Sequence, residues 1–149
     1  MLVELFPSRE IVVAFGSFTV RWYGLLWVLA FALGAYLLPR LAPYRGLKLS
    51  REEWWYVSFW AMAGAMFGGR AGYWLWEPSY FLRWPEKIFA IWEGGMAAHG
   101  GIVGVGLGLL WATRRLKVDY WKLLDVVVVP AALGLALGRV GNFINQELF

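Results

Sequence analysis

Four long stretches of the chain carry almost no charged side chains, and they set the predicted fold. No Asp, Glu, Lys or Arg occurs in residues 22–39, 54–69, 94–113 and 126–138. A helix needs about 20 mostly apolar residues to cross the hydrocarbon core of a bilayer. With a few polar residues accepted at the ends, the pattern predicts four transmembrane helices, at about residues 18–39, 54–76, 93–113 and 120–140. The Val126–Val129 run alone is compatible with a strand, but a lone strand cannot cross lipid with its backbone groups unsatisfied.

The first 17 residues do not have the pattern of a signal peptide. They contain the acidic residues Glu4 and Glu10 and a proline at position 7, and they lack a basic start followed by an apolar run. We expect a short amphipathic or strand-like lead-in at the membrane surface.

Composition supports a membrane protein. Hydrophobic residues make up 60% of the chain and charged residues 16%, whereas soluble domains carry about 45–50% and about 25%. The 11 tryptophans fit a bilayer protein because Trp and Tyr concentrate at membrane–water interfaces. The absence of cysteine excludes disulfides, iron–sulfur clusters and a cysteine nucleophile within the chain. With a single histidine as well, no metal or other cofactor is predicted.

The basic residues indicate an orientation. The net charge of +4 does not by itself predict a nucleic-acid partner in so apolar a chain. Arg and Lys instead concentrate in the loops after the first and third predicted helices: Arg40, Arg45, Lys48 and Arg51, then Arg114, Arg115, Lys117 and Lys122. The opposite side has half as many: Arg9, Arg21, Arg83 and Lys87. The positive-inside rule therefore predicts a cytoplasmic location for the two basic loops and an outward-facing N-terminus.

Glycines recur every fourth residue in three of the predicted helices. The series are Gly64, Gly68 and Gly72; Gly100, Gly104 and Gly108; and Gly134 and Gly138. Small residues at this spacing let helix backbones approach closely in lipid, so the pattern predicts tight helix–helix packing.

Polar residues collect at the outward ends of all four predicted helices. They are Arg21, Tyr23, Arg70, Glu77, Glu93, His99, Arg139, Asn142, Asn145 and Glu147. Charged groups in a membrane are costly and usually mark a site. Each has a simpler alternative: Arg70 as an ion-pair partner of Glu77 or Glu93, His99 as a packing residue, and Tyr23 as an interfacial anchor. The segment from Gly138 to Glu147 is harder to explain structurally. An Arg fork with neighbouring amides suits a phosphate, so we predict an anionic lipid headgroup as ligand.

Four blocks of this sequence closely resemble the prolipoprotein diacylglyceryl transferase family. They are Arg21-Trp22-Tyr23-Gly24; Gly68-Gly69-Arg70-Ala71-Gly72-Tyr73; the stretch from Ile91 to Gly101; and the stretch from Gly138 to Glu147, with the pattern Gly-Arg-x-Gly-Asn-Phe-x-Asn. Gln146 stands where family members commonly have glycine. Family members are about twice as long and have seven membrane helices, so the resemblance implies that this chain is the N-terminal half, truncated before a second functional arginine and three further helices.

The resemblance implies an enzyme of the bacterial inner membrane that transfers the diacylglyceryl group of phosphatidylglycerol to the lipobox cysteine of a prolipoprotein. Arg139 would hold the phosphate, Asn142 and Asn145 would donate to the headgroup, and Glu147 would orient Arg139 or bind the peptide. His99 is the candidate base, Tyr23 would contact the headgroup or the thiol, and Arg70 is a second phosphate contact. The active site would face outward, and the substrates and the bilayer would be the partners. The alternative is a four-helix transporter or lipid-binding subunit without enzymatic activity.

Overall fold

The computed structural model describes residues 11–15, 18–90 and 95–145, and most of these residues are helical. A hairpin of β1 (Ile11–Phe15) and β2 (Phe18–Arg21) precedes α1 (Trp22–Leu41). The remaining α-helices follow in the order α2 (Arg51–Trp76), α3 (Pro78–Arg83), α4 (Ala98–Leu116) and α5 (Tyr120–Asn145). Short 3-10 helices occupy Ala42–Arg45 and Pro85–Phe89. The predominantly helical architecture agrees with the predicted fold class.

Among the described residues, two helical stretches are long and apolar enough to cross a membrane, Trp22–Arg45 and Tyr120–Ile144. α2 and α4 do not meet the same measure of hydropathy, because glycines, aromatic residues and terminal charges stand where α1 and α5 have Leu and Val. The structure is therefore that of a helical membrane protein in which length and composition support two of the four predicted spans.

The boundaries of the first helix differ from the prediction. Residues 18–21 were expected to open the helix, but they form β2, which pairs antiparallel with β1 through Val13↔Val20 and Phe15↔Phe18. β-Branched and aromatic residues favour this extended pairing. The strand-like prediction is thus correct for Ile11–Phe15, and residues 1–10 and 16–17 lie outside the described part of the chain.

Local capping and turn chemistry move the starts of α2 and α4. Ser50 and Glu53 form a capping box: the Ser50 hydroxyl accepts from the Glu53 N–H (3.2 Å), and the Glu53 carboxylate accepts from the Ser50 N–H (2.7 Å). This cap starts α2 three residues before the predicted position. α4 starts at Ala98 and not at residue 93; Gly95 before it has a φ of +74°, which does not continue a helix.

The four long helices form two antiparallel pairs. In the α2–α4 pair, the glycine series face each other: a Cβ on Gly104 would overlap the carbonyl oxygen of Gly64 and lie 2.8 Å from the Cα of Gly68. The close packing predicted from the glycine spacing of α2 and α4 is therefore confirmed. In the α1–α5 pair, a Cβ on Gly134 would lie 3.5 Å from the Cβ of Ala30, an ordinary van der Waals distance. Gly138 is different, because a Cβ there would meet no described atom within 4 Å.

The buried core lies at the end of the bundle that carries the two basic loops. It joins side chains from the ends of all four long helices and from the connection between α1 and α2: Leu38, Ala42, Leu47, Trp54, Val57, Leu109, Ala112, Leu123 and Val126. An ion pair of 3.2 Å between Arg45 and Asp125 ties the connection after α1 to α5 at this end. The opposite end, where α1 and α4 begin and α2 and α5 finish, carries the predicted site residues.

Candidate functional site

Tyr23 packs directly on the helix segment that carries the predicted phosphate-binding residues. α5 continues to Asn145, five residues past the expected end, so Arg139 and Asn142 are both helical and three positions apart. Gly141 between them is buried against the Tyr23 ring, since a Cβ there would lie 2.8 Å from Tyr23 Cδ2. Trp27 supports the other side of Tyr23 in an edge-to-face contact at 6.2 Å. The structure thus packs Tyr23 of α1 against α5 at Gly141, the glycine that lies between Arg139 and Asn142 in the sequence.

Two polar side chains of α5 at this end, those of Arg139 and Asn142, have no partner among the described residues. Arg139 is exposed and Asn142 is half-buried, and neither side chain forms a hydrogen bond or an ion pair with another described residue. Asn145 is the last residue of α5, and Glu147 lies outside the described residues. An Arg fork and an amide on one helix face, both with donors available, can bind the oxygens of a phosphate.

His99 belongs to the other helix pair. It lies in the first turn of α4, is exposed, and makes no hydrogen bond or ion pair within residues 11–15, 18–90 and 95–145. No such contact joins it to Arg139, Asn142 or Tyr23, although all four residues occur at the same end of the bundle. The glycines that follow it, Gly100 and Gly104, are used for packing against α2.

Arg70 has a different environment from the other predicted site residues. Its side chain, on α2, is only 8% exposed. The Nε atom donates to the carbonyl oxygen of Ile88 (3.0 Å), Nη1 donates to that of Gly95 (3.0 Å), and Nη2 donates to that of Lys87. The guanidinium carbon also lies 5.1 Å from the centre of the Phe81 ring. Three of the five guanidinium N–H donors of Arg70 are thus directed at backbone carbonyls of the segment before α4.

Residues to which the sequence analysis gave no individual role complete the attachment of this loop. The Ala97 N–H donates to the carbonyl oxygen of Gly69 (2.9 Å), which anchors the chain immediately before α4. Gly95 lies against the Tyr73 ring and Arg70, so both its positive φ and the space require glycine. Phe81, from the unpredicted helix α3, packs edge-to-face on Tyr73 at 5.8 Å. The Gly94-Gly95 pair in the sequence was the available signal for this turn.

The alternative ion pairs suggested for Arg70 are only partly visible. Glu77 ends α2 and is exposed, and Glu93 lies outside the described residues. Among the residues that the structure describes, no three His, Asp or Glu side chains come together to hold a metal ion. The chemistry of the site therefore consists of a guanidinium, an amide, a phenol and an imidazole at one end of the bundle.

Comparison with known proteins identifies the family of the chain. Residues 10–149 match the family described as prolipoprotein diacylglyceryl transferase. The chain is 43% identical to the phosphatidylglycerol–prolipoprotein diacylglyceryl transferase of Geobacter sulfurreducens over 135 residues, which are 90% of this chain and 52% of that protein. It is 44% identical to the enzyme of the same name from Dechloromonas aromatica over 136 residues, covering 90% of this chain and 51% of the relative.

The protein of the same name from Acidiphilium cryptum is 40% identical over 149 residues, which are 99% of this chain and 54% of that protein. The chain spans about half the length of the curated relatives it matches. Because the family match covers almost all of its residues, the chain belongs to the prolipoprotein diacylglyceryl transferase family.

Proposed function

We propose that this chain forms the phosphatidylglycerol-binding part of an enzyme that transfers a diacylglyceryl group to the lipobox cysteine of a prolipoprotein. One observation carries the proposal: Arg139 and Asn142 lie on one helix with no described partners, on either side of the glycine that packs on Tyr23. The names of the relatives supply the substrates, and the donor geometry supplies a place for the phosphate.

The reaction forms one S–C bond and breaks one C–O bond. The cysteine sulfur attacks the glyceryl carbon that carries the phosphate ester, and the bond from that carbon to the phosphate oxygen breaks. Glycerol phosphate leaves with the electron pair, and the thiol proton passes to a base. A thiol has a pKa of about 8.5 and is mostly protonated at neutral pH, so a nearby base increases the reactive thiolate.

Each candidate residue has a role in this scheme. Arg139 holds the phosphate bidentately while charge develops on the leaving oxygen, and Asn142 and Asn145 donate to the headgroup. His99 takes the thiol proton, Tyr23 contacts the headgroup or the thiol, and Glu147 orients Arg139 or binds the peptide. Arg70 fixes the chain that leads to His99, and any direct contact with phosphate is secondary.

In the membrane, we propose four spanning helices in the bacterial inner membrane, the first part of a seven-helix fold. The basic loops face the cytoplasm, and the site faces outward, where lipoprotein precursors emerge. α2 and α4 are shielded from lipid along their shared glycine face, which reduces their need for apolar surface.

A chimera tests the proposed activity. Residues 11–145 replace the matching half of the Geobacter sulfurreducens relative, and the purified protein is incubated with phosphatidylglycerol and a lipobox peptide. We expect the thioether product by mass spectrometry, reduced at least about 100-fold in the Arg139→Ala variant, which removes the phosphate fork. A chimera that inserts like the parent but makes no more product than Arg139→Ala would refute the assignment.

The 149-residue chain provides a second measurement, which does not require these residues to pack correctly against the C-terminal half of the relative. Reconstituted in phosphatidylcholine vesicles, it should bind headgroup-labelled phosphatidylglycerol more tightly than does the Arg139→Ala chain. Arg83→Gln is the matched control, because Arg83 is an exposed arginine at the same end of the bundle. Equal binding by all three chains would contradict the proposed phosphate contact.

A further inference from the structure

A cavity lies at the opposite end of the bundle from the candidate site. It has a volume of about 500 Å³ and lies between the end of α1, the connection that follows, and the start of α2. Three cations and three aromatic side chains contribute to its lining: Arg40, Lys48, Arg51, Tyr36, Trp54 and Trp55. We call this space the basic cavity.

Arg40 is held in place at the basic cavity. Its Nη1 atom donates to the Tyr36 carbonyl oxygen (2.7 Å), and its guanidinium carbon lies 3.5 Å from the centre of the Tyr36 ring. An arginine stacked on an aromatic face keeps its remaining N–H groups available in a fixed plane. This rigidity lowers the entropy that a bound anion would cost.

Three acidic residues lie near the basic cavity but outside its described lining. Asp125 pairs with Arg45, and the Glu53 carboxylate accepts from the Ser50 N–H. Glu52 is fully exposed; hydrogen bonds to the backbone and Ser50, and then the nearby Arg51, hold its pKa below the ordinary value. None of these three acids belongs to the lining that the structure describes. The described lining of the basic cavity therefore contains three cations and no acid, although the Glu52 carboxylate outside it lies near Arg51.

The other walls of the basic cavity are apolar. Leu47 and Trp54 are buried there, and Pro39, Pro43 and Leu49 line it as well. The cavity also adjoins the end of Trp22–Arg45, the apolar stretch long enough to cross a bilayer. A soluble anion would gain from the cations alone, whereas a lipid would gain from the cations and from the apolar wall.

We propose that the basic cavity binds the phosphate headgroup of an anionic phospholipid from the leaflet at this end of the bundle. Basic pockets between helices at a membrane surface recognise such headgroups, and each Lys or Arg near the surface adds to the attraction. The bound phosphate lies between Arg40, Lys48 and Arg51, and the upper part of the acyl chains follows the apolar wall along α1. This site is separate from the proposed transfer chemistry and does not depend on it.

Photolabelling of the 149-residue chain in phosphatidylcholine vesicles tests the proposal. The probe is phosphatidic acid with a photoreactive group near the headgroup, and the labelled residues are mapped by mass spectrometry. We expect label on the cavity residues Tyr36, Trp54 and Trp55. The Lys48→Gln/Arg51→Gln double variant should reduce this label roughly 25-fold, since each cation removed lowers binding about fivefold. The matched control is Arg114→Gln/Arg115→Gln, which removes two exposed cations at the same end of the bundle and should leave the label unchanged.

Competition identifies the source of the phosphate. Unlabelled anionic lipid should displace the probe, while phosphatidylcholine and inorganic phosphate should not. The contrary result is that inorganic phosphate displaces the probe from the cavity while the probe and the protein both stay in the vesicles. That result would assign the cavity to a soluble anion and overturn the lipid proposal. Undiminished label in the double variant, or equal loss in the control, would overturn the site itself. Both results are independent of transfer activity.

Discussion

The hydrogen bonds of Arg70 predict that this residue holds the segment before α4 in place. The Arg70→Gln substitution removes a guanidinium that donates to the carbonyl oxygens of Lys87, Ile88 and Gly95. Hydrogen bonds from charged donors contribute about 1.5–3 kcal/mol each. We take the lower limit because these three residues are half-buried and their carbonyls can regain water. The expected loss is therefore about 4 kcal/mol of local stability.

Hydrogen exchange measures this loss where it occurs. A local opening that becomes easier by about 4 kcal/mol corresponds to amide exchange about 1000-fold faster, up to the limit of the original protection. We expect this acceleration between Pro85 and the first turn of α4, including the Ala97 amide that donates to Gly69. Exchange in the core at the other end of the bundle should change little, because that cluster makes no contact with the Arg70 side chain.

Two further variants separate geometry from charge. Arg83→Gln removes an exposed arginine from the same loop and should leave exchange unchanged. Arg70→Lys keeps the charge but cannot donate in three fixed directions, so its exchange should resemble that of Arg70→Gln. Protection at wild-type level in Arg70→Gln would refute the reasoning. Weaker phosphatidylglycerol binding in Arg70→Lys with unchanged exchange would instead support the direct phosphate contact predicted from the sequence.

Three other predictions follow from the same structure. In the chimera, Arg139→Lys should lose at least about 90% of transfer activity, because an ammonium cannot replace a bidentate fork; near-normal transfer would exclude that geometry. Gly104→Ala should destabilise the α2–α4 pair by about 1–3 kcal/mol in reversible unfolding, because the added Cβ overlaps the α2 backbone. Gly34→Ala is the control, since a Cβ there would lie 3.9 Å from its nearest neighbour, the Cβ of Pro130. Equal stabilities of the two variants would show that the α2–α4 interface has room for a methyl group. A reporter fused after Lys48 should be cytoplasmic and one near Trp84 external, and the reverse would overturn the orientation.

The features that sequence predicted well depend on periodicity. The glycine spacing in α2 and α4 indicated a close helix contact, and the structure places Gly64, Gly68 and Gly72 against Gly100 and Gly104. Periodicity shows which face of a helix carries small residues. In lipid, such a face packs most closely against another helix face with small residues. The same argument could not name the partner helix of either series.

Boundaries were missed where local chemistry opposed the charge pattern. The predicted helices were bounded by charge-free runs, so the charged first turn of α2 was left out although Ser50 and Glu53 have the spacing of a capping box. The pairing of β2 with β1 was missed because residues 18–20 continue without a charge into the apolar run of α1. The start of α4 was placed too early because the charge-free run includes Gly94 and Gly95, which precede the helix in the sequence.

The contacts of Arg70 could not be read from the sequence at all. Its carbonyl acceptors lie 17 to 25 residues away along the chain, and they converge only because the loop after α2 folds back over the helix. An arginine in a membrane segment is equally compatible with an ion pair, a phosphate contact or this carbonyl clamp. The spacing of charges along the helix does not distinguish these roles.

A comparison of Arg70 with Arg139 shows how the hydrogen-bond partners of an arginine separate a structural role from a binding role. A guanidinium has five N–H donors, and leaving them without acceptors near a membrane is costly. Arg70 is buried and donates to three carbonyl oxygens, so its hydrogen bonds stabilise the position of the loop before α4. Arg139 is exposed and has no described protein partner, so its donors must be satisfied by water or by a ligand. Under the proposed function, an anionic headgroup bound next to the half-buried Asn142 would satisfy them with more directed hydrogen bonds than water gives.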